Sequence, residues 1–297
     1  MKKEVTVIGA AIMDIHAGPV PGDLFSKGSV PADRMCISFG GDALNEAVVL
    51  SGLGVKTEII SVIGKDETGQ SVLKNLRENN VSTEKITIED GLTTGMNIVL
   101  NDDEGERYFI TNPYSSLRKL SLEHILPHID DASDIVCFAS MFVSPMLDIE
   151  KMGELFRKIK EKPERILIVD MTTAKKGETI KDIAPLFEFI DYIIPNEHEA
   201  ALLTGGKTPE ESLEIFAKNG AKNVIIKCGK RGCIYYSDGQ KGEVSTRKVK
   251  VVDTTGAGDS FVAGFTYGLM NNMSIEDACK KGNEVAAKII GKTGTQA

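Results

Sequence analysis

The sequence has no apolar run near the ~18–20 residues that a helix needs to cross a bilayer, so no membrane-spanning helix and no membrane partner are expected. It also lacks a basic surplus. Its 35 Lys and Arg face 43 Asp and Glu, giving a net charge of −8, and no Lys/Arg run stands out. Nucleic acid is therefore not an expected partner. Cysteine is sparse. The five residues (Cys36, Cys137, Cys228, Cys233 and Cys279) are odd in number and form no C-x-x-C pair. Free thiols in a reducing cytoplasm fit better than a disulfide framework. His124 and His128 are spaced i, i+4, but Pro127 lies between them and no H-E-x-x-H surrounds them, so both are expected at the surface. The N-terminal MKKEVTVIGAAIMDI carries only a short apolar run, broken by Thr6 and ended by Asp14, and reads as a first strand rather than a leader. A chain of 297 residues needs no metal or disulfide staple to fold.

Three common nucleotide or hydrolase motifs are missing as well. Residues 286–293 (AAKIIGKT) approach a Walker A loop, but Ala286 stands where its first glycine should be and a helical pattern surrounds it. No G-x-G-x-x-G follows a strand, which removes the main support for a dinucleotide dehydrogenase. No G-x-S-x-G elbow is present, which disfavours an α/β-hydrolase.

What is present is a β-α-β-α rhythm. β-Branched runs recur at 5–8, 59–63, 135–138, 166–169, 192–194, 224–226 and 233–236. Several show no polar alternation, the pattern of parallel strands covered on both faces. Helical patterns fall at 42–53, 68–79, 149–161, 208–219, 259–270 and 274–290. The fold class is α/β. Two stretches break the rhythm. Met35, Ile37 and Phe39 alternate with Arg34, Cys36 and Ser38, Met96, Ile98 and Leu100 share one face, and a turn at 101–105 leads into a return strand from Arg107. These half-buried strands predict a small projecting sheet with one apolar face. Either a substrate or a second subunit would cover that face.

The strongest local signal is Asp253-Thr254-Thr255-Gly256-Ala257-Gly258-Asp259 before an apolar helix. Consecutive backbone N–H groups at a helix N-terminus suit a phosphate. Asp259 beside an anion is unfavourable unless it acts as a base or a metal contact. The residues alone also allow a plain helix entry with a favourable first-turn acid.

The segment D-T-T-G-A-G-D-S-F resembles the signature of the PfkB, or ribokinase-like, family of carbohydrate kinases. Three further motifs resemble those of the family. Phe39-Gly40-Gly41-Asp42-Ala43-Leu44-Asn45-Glu46-Ala47 is similar to its G-G plus helix. Pro195-Asn196-Glu197-His198-Glu199 is similar to its N-x-x-E, and Lys227-Cys228-Gly229-Lys230-Arg231-Gly232 to its nucleotide-side turn. All four stand in the family's order, and the resemblance covers essentially the whole chain.

The resemblance implies a ribokinase-like, mainly parallel sheet with helices on both faces, made of residues 1–13, 42–92 and 112–297. A small β-sheet lid would come from 14–41 and 93–111. It implies ATP-dependent phosphorylation of a small sugar of the ribose, fructose or 2-keto-3-deoxy-sugar class, or of a nucleoside such as adenosine or pseudouridine. A non-catalytic ligand-binding member is disfavoured, because Asp259 and the glycines are intact. By the same resemblance Asp259 is the base that takes the acceptor proton, and the N–H groups of Gly256, Ala257 and Gly258 stabilise the transferring phosphoryl group. Asn196 and Glu199 organise Mg²⁺ and its waters; read alone, they are equally a helix cap. Lys227, Gly229, Gly232 and Asn283 lie on the nucleotide side. Asp253 and Thr255, with carbonyls near 291–295, are where relatives hold a monovalent cation, which would be K⁺ here.

Asp14, Gly41, Asp42 and Asn45 are expected around the acceptor; without the resemblance, Asp14 reads as a loop-start residue. An acidic sugar would need a cation. Arg107 and Lys175 are candidates, although Arg107 alone reads as a solvated strand residue. A nucleoside would want an aromatic wall, for which Phe39, Tyr108 and Phe138 are available. A homodimer through the lid is a further expectation.

Overall fold

The computed structural model describes residues 4–102, 104, 106–247, 249 and 255–290. Two sheets organise the backbone. In the larger, seven strands run parallel in the spatial order Asn223–Lys227, Tyr192–Ile193, Ile166–Met171, Ile135–Met141, Glu4–Ile8, Lys56–Gly64 and Val81–Ser82. Ile86–Glu89 also pairs with Lys56–Gly64, and Cys233–Ser237 and Gln240–Val244 extend the opposite edge antiparallel. The β-branched runs of the sequence all contribute to these strands.

Both faces are buried, which is why these strands show no polar alternation. Ile8, Val136, Phe138, Leu167, Val169 and Ile226 point to one side, with Phe156 of the helix Ile149–Ile159 and Phe216 of the helix Pro209–Lys218. Val5, Val7, Ile135, Cys137, Ile168 and Ile225 point to the other, beneath the helices Asp42–Gly52, Glu67–Glu78, Ala257–Met270 and Ile275–Ile290. Fully burying one such side chain is worth about 1.5–3 kcal/mol, so the two apolar layers fix the sheet between the helices. All five cysteines are free, and four are buried; Cys36 is half-buried. His124 is not a plain surface residue. It is half-buried, and its ring closes a capping box with Ser121. Among the described residues no helix is long and apolar enough to cross a membrane.

The second sheet has the order Arg34–Gly40, Ile12–Gly18, Met96–Asn101, Arg107–Thr111. Its register makes one face apolar. Ile15 lies opposite Ile37 and Ile98, and Ile98 opposite Ile110. This face is exposed, at 71% for Met35, 61% for Ile37 and 51% for Ile110. The other face carries Asp14, opposite Ser38 and Asn97. Asp14 is therefore no loop-start residue, since it sits inside the strand Ile12–Gly18.

Candidate active site

The carboxyl ends of the parallel strands and the polar face of the small sheet border a cavity of about 370 Å³. Asp14, Gly41, Asp42, Asn45, Thr255, Gly256, Ala257, Gly258 and Asp259 all line it. Residues from opposite ends of the chain thus share one space.

The helix Ala257–Met270 starts two residues before the expected 259, with Gly256 as its N-cap at φ 71°. Glycine takes this left-handed conformation at no steric cost. Asp259 falls in the first turn and is tied to the helix Asp42–Gly52, where Asn45 Nδ2 donates to Asp259 Oδ2 at 2.6 Å. Burial lifts the Asp259 carboxyl well above its ordinary pKa. The negative charge of Asp42 adds to this, and the Asn45 hydrogen bond opposes it. Burial raises Asp42 as well, with a Ser140 hydrogen bond pulling the other way.

On the small sheet, Asn97 Nδ2 donates to Asp14 Oδ1 at 2.9 Å. Burial raises Asp14 against that bond. Gly41 has φ 91°, and a Cβ there would come within 2.5 Å of the Ala10 carbonyl oxygen. The turn before Asp42 thus packs directly on the loop after the first strand. Asn45 Oδ1 and Asn97 Oδ1 are buried beside the cavity with no hydrogen-bond partner among the described residues.

None of the nucleotide-side residues lines this cavity, but Lys227 approaches it at Gly258. Its ammonium bonds Asp170 Oδ1 and Oδ2 at 2.8 and 2.7 Å, and lies 3.4 Å from where a Cβ on Gly258 would sit. Burial works against the Lys227 charge, but Asp170 and Glu199 outweigh it and keep its pKa above the usual lysine value. Asn196 and Glu199 form a reciprocal capping box: Asn196 N donates to Glu199 Oε2 at 2.8 Å, and Glu199 N to Asn196 Oδ1 at 2.9 Å. Burial pushes the Glu199 carboxyl up to about 7; Lys227 opposes this, and Asp170 reinforces it. Gly232, at φ 103°, is required where the Val244 carbonyl crosses it, whereas Gly229 faces open space. Asn283 is buried rather than solvated, and its Nδ2 donates to the Val244 carbonyl at 3.0 Å.

Several expectations need correction. Arg107 is not simply solvated: its Nη1 donates to Thr255 Oγ1, which ties the small sheet to the glycine turn. Tyr108 is 56% exposed and shares the outward face with Leu100, its partner in register, so it cannot wall the cavity. Phe39 lies on the same face as Met13, and Phe138 is buried in the core. The aromatic that lines the cavity is Phe109. Asp253 and residues 291–295, the rest of the expected monovalent-cation set, lie outside the described residues. Sequence reasoning also missed Asn97 and Arg118 as lining residues. Alternation with Met96 and Ile98 put Asn97 on the polar face, but only the register places it against Asp14.

A profile described as pfkB family carbohydrate kinase matches residues 2–297. The chain is 28% identical to the ribokinase of Mus musculus over 305 aligned positions, covering 98% of this chain and 90% of that protein. It is 26% identical to the 2-dehydro-3-deoxygluconokinase of Haemophilus influenzae over 311 positions, covering 98% and 95%. The fold matches Arabidopsis thaliana ribokinase complexed with ribose and ATP at a TM-score of 0.83 and 23% identity, over 99% of this chain and 94% of that one. With its fold and its four motifs in order, the chain belongs to the pfkB family of carbohydrate kinases and is an ATP-dependent kinase.

Proposed function

We propose that this protein transfers the γ-phosphoryl group of ATP to a hydroxyl of a small sugar held between Asp14, Asn97 and Asn45. The acceptor oxygen attacks the γ-phosphorus, and its proton passes to Asp259. The bond from phosphorus to the β–γ bridging oxygen breaks, and ADP leaves with that electron pair. The N–H groups at 256–258 face the charge that builds on the transferring group. The observation that carries this reading is the convergence of Asp259 and the glycine turn with a row of hydroxyl-binding side chains in one cavity. The unpartnered Asn45 and Asn97 oxygens suit the hydroxyl donors of a polyol.

Mg²⁺ fits the chemistry of Asn196 and Glu199, which offer oxygen donors only, and Glu199 keeps one carboxylate oxygen outside the capping box. When bound, the ion neutralises phosphate charge. The segments 14–41 and 93–111 form the lid in this reading, closing over the acceptor to exclude water. Their outward apolar face is the surface for a second copy.

Arg118 and Lys175 also line the cavity, and this favours an acceptor with a carboxylate, of the 2-keto-3-deoxy-sugar class. Phe109 supports the alternative of a nucleoside acceptor. The test is ADP release with ribose, fructose, 2-keto-3-deoxygluconate, adenosine and pseudouridine, with and without Mg²⁺. Mg²⁺-dependent release with a sugar supports the reading. Turnover of nucleosides alone, or none with any acceptor, overturns it.

A further inference from the structure

Asp170, next to last in the strand Ile166–Met171, is 5% exposed, and no step of the phosphoryl transfer described above uses it. Lys227 ends the strand Asn223–Lys227, and its backbone N–H donates to the Pro195 carbonyl, beside the Asn196 cap. Its ammonium lies beside Gly258, 3.4 Å from where a Cβ there would sit, while both Asp170 oxygens grip it. Four other carboxylates, Glu199, Asp259, Asp42 and Glu46, also act on this ammonium. A lysine stem is flexible, so without a stronger anchor the ammonium would pair with one of them. Pairing with Asp259 would occupy the base.

We infer that Asp170 is a positioning residue, holding the Lys227 ammonium beside Gly258 as a standing counter-charge for the transferring phosphoryl group. Its bidentate grip outcompetes Asp259 and Glu199, so the base stays available and the cation stays on the phosphate side. The inference rests on the proposed placement of the phosphate at residues 256–258.

Its test measures MgATP binding by calorimetry, which needs no acceptor, in Asp170→Asn, Lys227→Met and the double variant, with thermal unfolding to confirm folding. If Asp170 were only one more negative charge near the phosphates, neutralising it would tighten MgATP binding. Positioning requires the opposite: Asp170→Asn weakens binding, and the double variant binds no worse than Lys227→Met alone. Tighter or unchanged binding in Asp170→Asn, or losses that multiply in the double variant, would overturn the inference. With an active acceptor, kcat should fall by about 10²-fold, the scale of losing one charge-stabilising donor, while the acceptor KM stays near wild type. A loss confined to acceptor KM counts against it. Should Lys227→Met fail to fold, Asp170→Glu decides. It keeps the carboxylate and must bind MgATP better than Asp170→Asn; equal binding sinks the idea. An inactive wild-type enzyme, or an Asp259→Asn variant with full activity, would instead count against the proposed function and leave the binding comparison standing.

Discussion

Asn45 and Asp259 are 214 positions apart in sequence, and Asn45 Nδ2 donates to Asp259 Oδ2 at 2.6 Å. The bond favours the ionised carboxyl, against the burial and the Asp42 charge that raise its pKa. A base works only when ionised, so activity should decline on the acid side of an already elevated Asp259 pKa. Removing the bond in Asn45→Ala raises that pKa further. The acid limb of the kcat/KM profile therefore moves to higher pH. A limb that stays in place, or moves to lower pH, contradicts this.

Asp259→Asn should lose turnover by at least about 10²–10⁴-fold, the usual worth of a general base. MgATP affinity should not fall, because the glycine turn is untouched and a negative charge beside the phosphates is removed. ADP-release kinetics and calorimetry together check this. Near-normal turnover would show that another group takes the proton.

Gly41→Ala should destabilise the protein. The position has φ 91°, and the new Cβ would meet the Ala10 oxygen at 2.5 Å. The backbone strain alone costs about 1–3 kcal/mol, and relieving the contact moves the turn that presents Asp42. A lower melting temperature is expected together with a raised acceptor KM. Wild-type values for both would contradict it.

The small sheet gives two expectations. Substrate and nucleotide together should compact the molecule in small-angle scattering, as the polar face closes on the cavity; an unchanged radius of gyration argues against closure. On the opposite face, Ile37→Lys puts a charge at the centre of the exposed apolar row. If two copies pair there, sedimentation should show a dimer for the wild type and a monomer for this variant. A dimer that survives the substitution lies elsewhere.

Much of this architecture was legible in the sequence. Runs such as 166–169 announced strands buried on both faces, because no polar residue interrupts them. The alternation of Met35, Ile37 and Phe39 announced a small two-faced sheet, but its apolar face is the exposed one and the polar face carrying Asp14 and Asn97 is buried. The glycines before Asp259 announced a helix entry able to face an anion. These signals are local: they depend on backbone geometry and on periods of 2 and 3.6 residues, which neighbouring residues express together.

The pairings were not local, and the tertiary structure alone decided them. No spacing predicts that Asn45 reaches Asp259, that Arg107 bonds Thr255, or that Asp170 grips Lys227 from two strands away in the sheet. The faces of the small sheet were decided the same way. A one-residue change of register would have turned Asp14 outward and Tyr108 inward. Sequence patterning determined that there are two sheets and a helix N-terminus suited to phosphate. Which side chains meet in the cavity depended on strand order and register, because contacts between distant segments exist only once the chain has folded.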